Sequence, residues 1–223
     1  MSGSAVRLLC SGRVFFFWPQ FCSIDLSQSD VVYGICCQRA QKRITVVFRG
    51  SANAHNWSIN MKYDTNGIPN PIAVDYTGRQ EILDVHTGYS LYMLRRRKDT
   101  QTNKIEEIFE KVDEIGREIC PDGNYKLSIT VSTYSRARSK TKEFQISTSC
   151  LACPQGHSLG GALATILGFY IASNERFRQV KTVRVYTYAA PRVGGRSFLY
   201  AYQHLERMGR IRHARYSVTQ GKC

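Results

Sequence analysis

Gly156-His157-Ser158-Leu159-Gly160-Gly161, continued by Ala162-Leu163-Ala164-Thr165-Ile166-Leu167-Gly168, decides how this chain is read. The opening residues match G-x-S-x-G, and those behind them form an apolar run of small residues suited to a helix. Together they describe a nucleophile elbow, where a strand turns sharply into a helix and lifts a serine hydroxyl into a cleft. Ser158 then occupies a strained backbone position. Gly156 and Gly160, to either side, pass so close to strand and helix that only glycine-sized groups fit. The pentapeptide alone recurs by chance, so its weight depends on its surroundings.

Outward from the motif, strands and helices alternate. Asp30–Cys37 and Arg43–Gly50 read as strands joined by the polar turn Gln38–Lys42. The largely apolar run Ile44–Phe48 suits a buried central strand rather than an alternating edge. His86-Thr87-Gly88-Tyr89 leads into a helical stretch through Leu94. Lys104–Ile119 carries Ile105, Ile108, Phe109, Val112, Ile115 and Ile119 at helical period, closed by Pro121-Asp122-Gly123-Asn124. Tyr125–Thr130 and Lys181–Tyr188 read as strands, Arg196–Met208 as a helix and Ile211–Thr219 as a last strand. The alternation predicts an α/β fold, a mostly parallel sheet with helices on both faces.

A chain of 223 residues with 43% hydrophobic content can bury one sizeable core. One domain, 30–223, is expected behind an N-terminal extension, 1–29. The formal net charge of +14 raises nucleic acid or anionic membrane as a partner. The densest basic run is Arg95-Arg96-Arg97-Lys98, with a second group at Arg207, Arg210, Arg212 and Arg215. Neither carries a helix-turn-helix, RNP or zinc-finger pattern, so no nucleic-acid partner is read. A solvated basic face and attraction to anionic lipid are the two remaining accounts.

Eight cysteines, at 10, 22, 36, 37, 120, 150, 153 and 223, are too irregular for a disulfide framework. Cys36 and Cys37 on one strand point to opposite faces. Cys150-Leu151-Ala152-Cys153 has no second pair, and no metal site is read. The apolar run Val14–Trp18 is too short for a transmembrane segment and brief for a signal-peptide core. Core packing or a lid-like surface are its readings, and cytoplasmic and secreted locations both stay open.

Five blocks agree in type and order: Ile44–Ser51, Asn56-Trp57, Val85–Tyr89, Gly156–Gly161 and Tyr186–Gly194. Together they resemble the fungal-type (class 3) triacylglycerol lipases, from about Asp30 to Thr219. The resemblance implies an α/β-hydrolase fold and hydrolysis of carboxylic esters, acylglycerols above all, without a cofactor. The partner it implies is a lipid ester, met at a lipid–water interface. Ser158 matches the family nucleophile. The N–H of Leu159 and the residue Ser51 match the two oxyanion-hole positions, each worth on the order of 3–4 kcal/mol in such enzymes. His157, adjacent to the nucleophile, should point away from it on a tight elbow. His86 is read as packing between helix and sheet, and Trp57 as packing beneath the cleft.

Two features depart from the family pattern. In the family, the strand matching Lys126–Thr130 runs straight into Gly-His-Ser. Here 25 residues, Val131–Gln155, intervene, rich in Ser, Thr, Lys and Arg and without sustained period. They read as a disordered insertion. Pro154 is out of place at the end of a central strand, and deleting 131–155 restores a continuous strand and elbow. Val-Ser can be encoded by GTAAGT, a splice-donor consensus, and Gln by the acceptor end CAG, so translated intron is one account; a genuine surface insertion is the other. The second departure concerns the triad, ordered Ser, then Asp or Glu, then His in this fold. After Ser158 the acidic residues are Glu175 and Glu206 and the histidines His204 and His213. None suits an acid-then-base arrangement on separate loops. The family Asp and His follow the strand matching Tyr216–Thr219, so a shortened chain lacking both, with little or no activity, is expected. Gly221-Lys222-Cys223 can likewise encode a splice donor. A non-catalytic lipid- or membrane-binding protein is the alternative function.

Overall fold

The computed structural model describes residues 6–10, 13–17, 33–49, 64–72, 81–98, 100–132 and 158–216. In chain order its strands are β1 (Val6–Cys10), β2 (Arg13–Phe17), β3 (Tyr33–Gln38), β4 (Arg43–Arg49), β5 (Thr65–Pro69) and β6 (Ile82–His86). β7 (Lys126–Ser132), β8 (Val183–Tyr188) and β9 (Ile211–Tyr216) follow. The helices are α1 (Thr87–Leu94), α2 (Lys104–Ile119), α3 (Ser158–Ser173) and α4 (Arg196–Arg207). Seven strands form one sheet in the order β1-β2-β3-β4-β7-β8-β9, and β5 and β6 form a separate antiparallel pair. The large sheet is antiparallel from β1 to β4 and parallel from β4 to β9.

Register explains the core. Ile44, Leu127, Val183 and Ile211 lie side by side across the parallel strands, and Val46, Ile129, Val185 and His213 form the next row. These rows meet α3, whose residues Leu159–Phe169 are all buried. An all-round apolar helix is stable only where every side is covered. Every other described helix accordingly packs against α3. Phe169 stacks near Phe198 and Tyr202 of α4, and Phe109 of α2 meets Phe177 edge-on at 4.9 Å. Two glycines set how closely α3 approaches β8. A Cβ on Gly168 would lie 2.6 Å from Val185 Cγ2, and one on Gly161 would lie 2.6 Å from Ala190 Cβ.

Local signals placed most elements. α2 covers the stretch read from its period, and Asn103 and Glu106 close a capping box on its first turn. Its inner stripe is buried because the opposite face of the helix carries the charges. Glu107 receives Tyr33 Oη at 2.7 Å and Lys104 Nζ at 3.0 Å, tying α2 to β3. The turn between β3 and β4 is a short 3-10 helix, Arg39–Gln41, with Lys42 at φ 46° closing it. One boundary differs from expectation. β7 continues through Val131 and Ser132, which pair with Phe48 and Arg49. Leu127, Ile129 and Val131 alternate onto the buried face, so the ladder is supported to that point. Residues 133–157 and 217–223 lie outside the described residues, as do Ser51, Asn56, Trp57, Gly156, His157, Cys150 and Cys153.

The second basic group expected from sequence is not one surface. Arg210 is half-buried and its guanidinium donates to the carbonyls of Ala172 (3.2 Å), Phe177 (3.2 Å) and Val180 (2.6 Å). Those carbonyls lie at the C-terminal end of α3 and in the turn beyond it, where acceptors lack helical donors. Arg210→Met should leave them unpaired and lower stability by about 2 kcal/mol, measured by urea unfolding. An unchanged midpoint would mean that water replaces the guanidinium. Arg215 pairs with Glu206 at 2.8 Å, and Arg212 points to the other face of the sheet. No described helix is long and apolar enough to cross a membrane.

Candidate active site at the start of helix α3

Ser158 is the first residue of α3, and Leu159 is the second. The first four N–H groups of any helix lack a partner within it, and the Leu159 N–H is one of these at the start of α3. The Leu159 side chain is buried in the core. Gly160 is buried in the same turn.

The segment after β8 completes this end of the sheet. Ala189, held at φ 45°, donates its N–H to Tyr216 O at 2.8 Å. Ala190 rests against Gly161 of α3. Val193 O then accepts from His86 N at 2.8 Å, and Asp84 O accepts from Gly195 N at 2.9 Å. Ser197 Oγ donates to Asp84 Oδ2 and accepts from Asp84 N. Two of the blocks quoted above, Val85–Tyr89 and Tyr186–Gly194, are thus partners in one backbone junction. Gly194 is required there, because a Cβ would fall 2.2 Å from Asp84 O.

His86 is a helix cap. Its Nδ1 accepts from Gly88 N at 3.2 Å and its ring stacks on Tyr89 at 4.2 Å between centroids. The expected packing role is therefore joined by a hydrogen-bonding one, and the Nδ1 acceptor implies the Nε2–H tautomer.

His213 is committed on both nitrogens. Nε2 shares a hydrogen bond with Thr187 Oγ1 and Nδ1 with Tyr202 Oη, each at 2.9 Å. Burial first, and the nearby Arg215 second, push its pKa down to about 3. The ring is neutral in the folded protein but takes a proton below its ordinary pKa of about 6.5 when unfolded. Its contribution to stability is complete above about pH 6.5 and is lost as pH falls toward 3, at about 1.4 kcal/mol per unit. Urea unfolding at pH 7 and pH 4.5 should show a steeper acid loss for the native chain than for His213→Gln. Equal slopes would refute this. Sequence gave no sign of Tyr202 and Thr187 as partners, since both are ordinary members of their own helix and strand patterns.

Glu175 pairs with Arg178 at 3.1 Å, and Glu206 with Arg215 at 2.8 Å. His204 lies in the last turn of α4. An open groove of about 1010 Å³ runs beside these elements, lined by Thr187, Ala190, Val193, Phe198, Leu199 and Tyr202 among others. It lies outside the carboxyl ends of β8 and β9, where ligands bind in open α/β sheets. A smaller cavity of about 270 Å³ between β3 and α2 is lined by Tyr33, Arg97 and Glu107. Its charges are already paired with one another, which gives it no reactive group.

A sheet that is parallel from β4 to β9, with a buried helix packed across those strands, has the architecture of the α/β-hydrolase fold. The profile of the family described as Lipase (class 3) matches residues 45–220, and the chain belongs to that family. Phospholipase A(1) DAD1, chloroplastic, from Arabidopsis thaliana is 26% identical over 161 residues, covering 71% of this chain and 28% of that protein. Phospholipase A1-IIgamma from the same plant is 25% identical over 198 residues, covering 85% and 39%. The chain thus spans well under half the length of these relatives. Among solved structures, a triacylglycerol lipase from Penicillium expansum aligns with TM-score 0.54 at 15% identity, covering 93% of this chain and 62% of that one. Rhizomucor miehei lipase in its propeptide complex aligns with TM-score 0.52 at 18% identity, covering 91% and 47%. These likenesses establish the fold.

Proposed function

We propose that this chain carries the nucleophile half of a carboxylic ester hydrolase acting on acylglycerols through Ser158. The observation that carries the proposal is the position of Ser158 at the start of α3, whose first turn abuts Ala190 at the wall of the groove. Ser158 Oγ gives its proton to a base from outside the described residues as it adds to the ester carbonyl. That proton later passes to the leaving alcohol, and the tetrahedral oxyanion is held by the Leu159 N–H and by Ser51. Collapse expels the alcohol, which takes up a proton, and leaves an acyl-serine that water hydrolyses. The apolar wall formed by Val193, Phe198 and Leu199 suits an acyl chain. No cofactor enters this chemistry.

In this reading the general base and its orienting acid come from outside the described residues. His213 has no free nitrogen, and Glu175 and Glu206 are held in ion pairs. Added imidazole should therefore substitute for the base. Mass spectrometry of the chain incubated with p-nitrophenyl butyrate should show one acyl group on Ser158, gained faster with imidazole and absent in Ser158→Ala. Acylation elsewhere, or equally in Ser158→Ala, would remove Ser158 as nucleophile. For 131–155 we propose translated intron. Mature transcripts that always retain those codons would establish a true insertion instead.

A further inference from the structure

Strand register builds a basic surface that the sequence order does not reveal. Arg95–Lys98, the densest basic run, is partly neutralised, since Arg96 faces Glu106 at 3.9 Å and Arg97 faces Glu107 at 3.3 Å. The sheet face turned away from α3 is different. There Ser128, Arg184 and Arg212 lie in one row across β7, β8 and β9, and Lys126 and Arg43 are paired one step earlier on β7 and β4. Lys126, Arg184 and Arg212 are exposed and Arg43 is half-buried. None of the four has an ion-pair partner among the described residues, and β4, β7, β8 and β9 contain no Asp or Glu. Neighbouring strands are about 4.8 Å apart, so the cations repel one another unless an external anion meets them.

The same face carries tyrosines toward the groove end. Tyr186 follows Arg184, and Tyr188 and Tyr216 stack at 4.8 Å between centroids. Tyr216 also lines the groove. Cations beside tyrosines, which are apolar in body and polar at the tip, match the headgroup zone of a bilayer.

We infer that this face of the sheet docks on an anionic phospholipid surface, with the groove at its margin. The choice of lipid as occupant rests on the ester-hydrolase proposal; the charge asymmetry stands without it. The test uses the chain carrying Ser158→Ala, so that binding is read with the nucleophile removed and its failure says nothing about ester chemistry. Flotation with phosphatidylcholine vesicles containing phosphatidylserine should show binding that falls as salt rises from about 0.01 M to about 0.15 M, shrinking the Debye length from about 30 Å to about 8 Å. Arg184→Gln with Arg212→Gln should weaken partitioning about thirtyfold, at about 1 kcal/mol for each cation. Arg95→Gln with Arg96→Gln, an equal loss of charge elsewhere, should weaken it less than about threefold. Equal losses from both pairs, binding to pure phosphatidylcholine alone, or tighter binding to single-stranded RNA than to the vesicles would each overturn the inference.

Discussion

Unaided, the 223-residue chain should hydrolyse p-nitrophenyl butyrate about 10⁶-fold more slowly than a serine hydrolase with a complete triad. The size follows from how triad members act. Base and nucleophile work as a unit, so losing one costs nearly as much as losing all of them. Oxyanion donors and substrate binding still leave about 10³–10⁴-fold acceleration over water. Ser158→Ala should consequently change the residual rate by less than about threefold, because an unactivated hydroxyl contributes little. Measured turnover near that of a complete enzyme, abolished by Ser158→Ala, would show that a base reaches Ser158 from residues outside those described.

Gly194→Ala should be the most damaging single methyl in the described structure. The added Cβ would meet a backbone carbonyl oxygen, Asp84 O, at 2.2 Å, and Phe198 Cβ at 3.0 Å. A flexible side chain could turn aside, but Asp84 is fixed within β6 by its pairing with Gly67. The loop must move instead, breaking His86 N to Val193 O and Gly195 N to Asp84 O. A loss of about 3 kcal/mol is expected, lowering the melting temperature by about 6–12 °C for a chain of this size. Gly209→Ala is the comparison. Gly209 sits at φ +71° with nothing within 4 Å of its Cβ position, so backbone strain alone costs about 1 kcal/mol. Equal melting shifts in the two variants would mean that the loop yields freely.

Much of the fold was legible because it is local. Lys104–Ile119 announces itself by one apolar stripe and the stop at Pro121–Asn124, and both are properties of neighbouring residues. Val46, Val47 and Phe48 are consecutive apolar residues because β4 is covered on both sides at that point, and all three are buried. The end of β7 was harder. Val131 extends the period-two pattern of Leu127 and Ile129, whereas Ser132, paired with Arg49 of β4, resembles in composition the polar run that follows. His86 was half legible: its place before a helix was plain, but its hydrogen bond to Gly88 N depends on a side-chain turn that spacing does not encode.

The chain's own order of residues pointed to the family, and it is the ground for proposing Ser158 as nucleophile, because G-x-S-x-G and its companion blocks are short and contiguous. The meaning of the charges and of the late histidine came from elsewhere. Arg210, Arg212 and Arg215 are near neighbours in sequence, yet one clasps carbonyls at a helix end, one faces outward and one pairs with Glu206. His213, placed by sequence only within the last strand, takes Thr187 and Tyr202 as partners of its two nitrogens. Strand register and helix packing decide such partnerships. Each joins residues on different elements, from 9 to 38 positions apart along the chain, whose individual patterns are unremarkable, so no local rule can supply them.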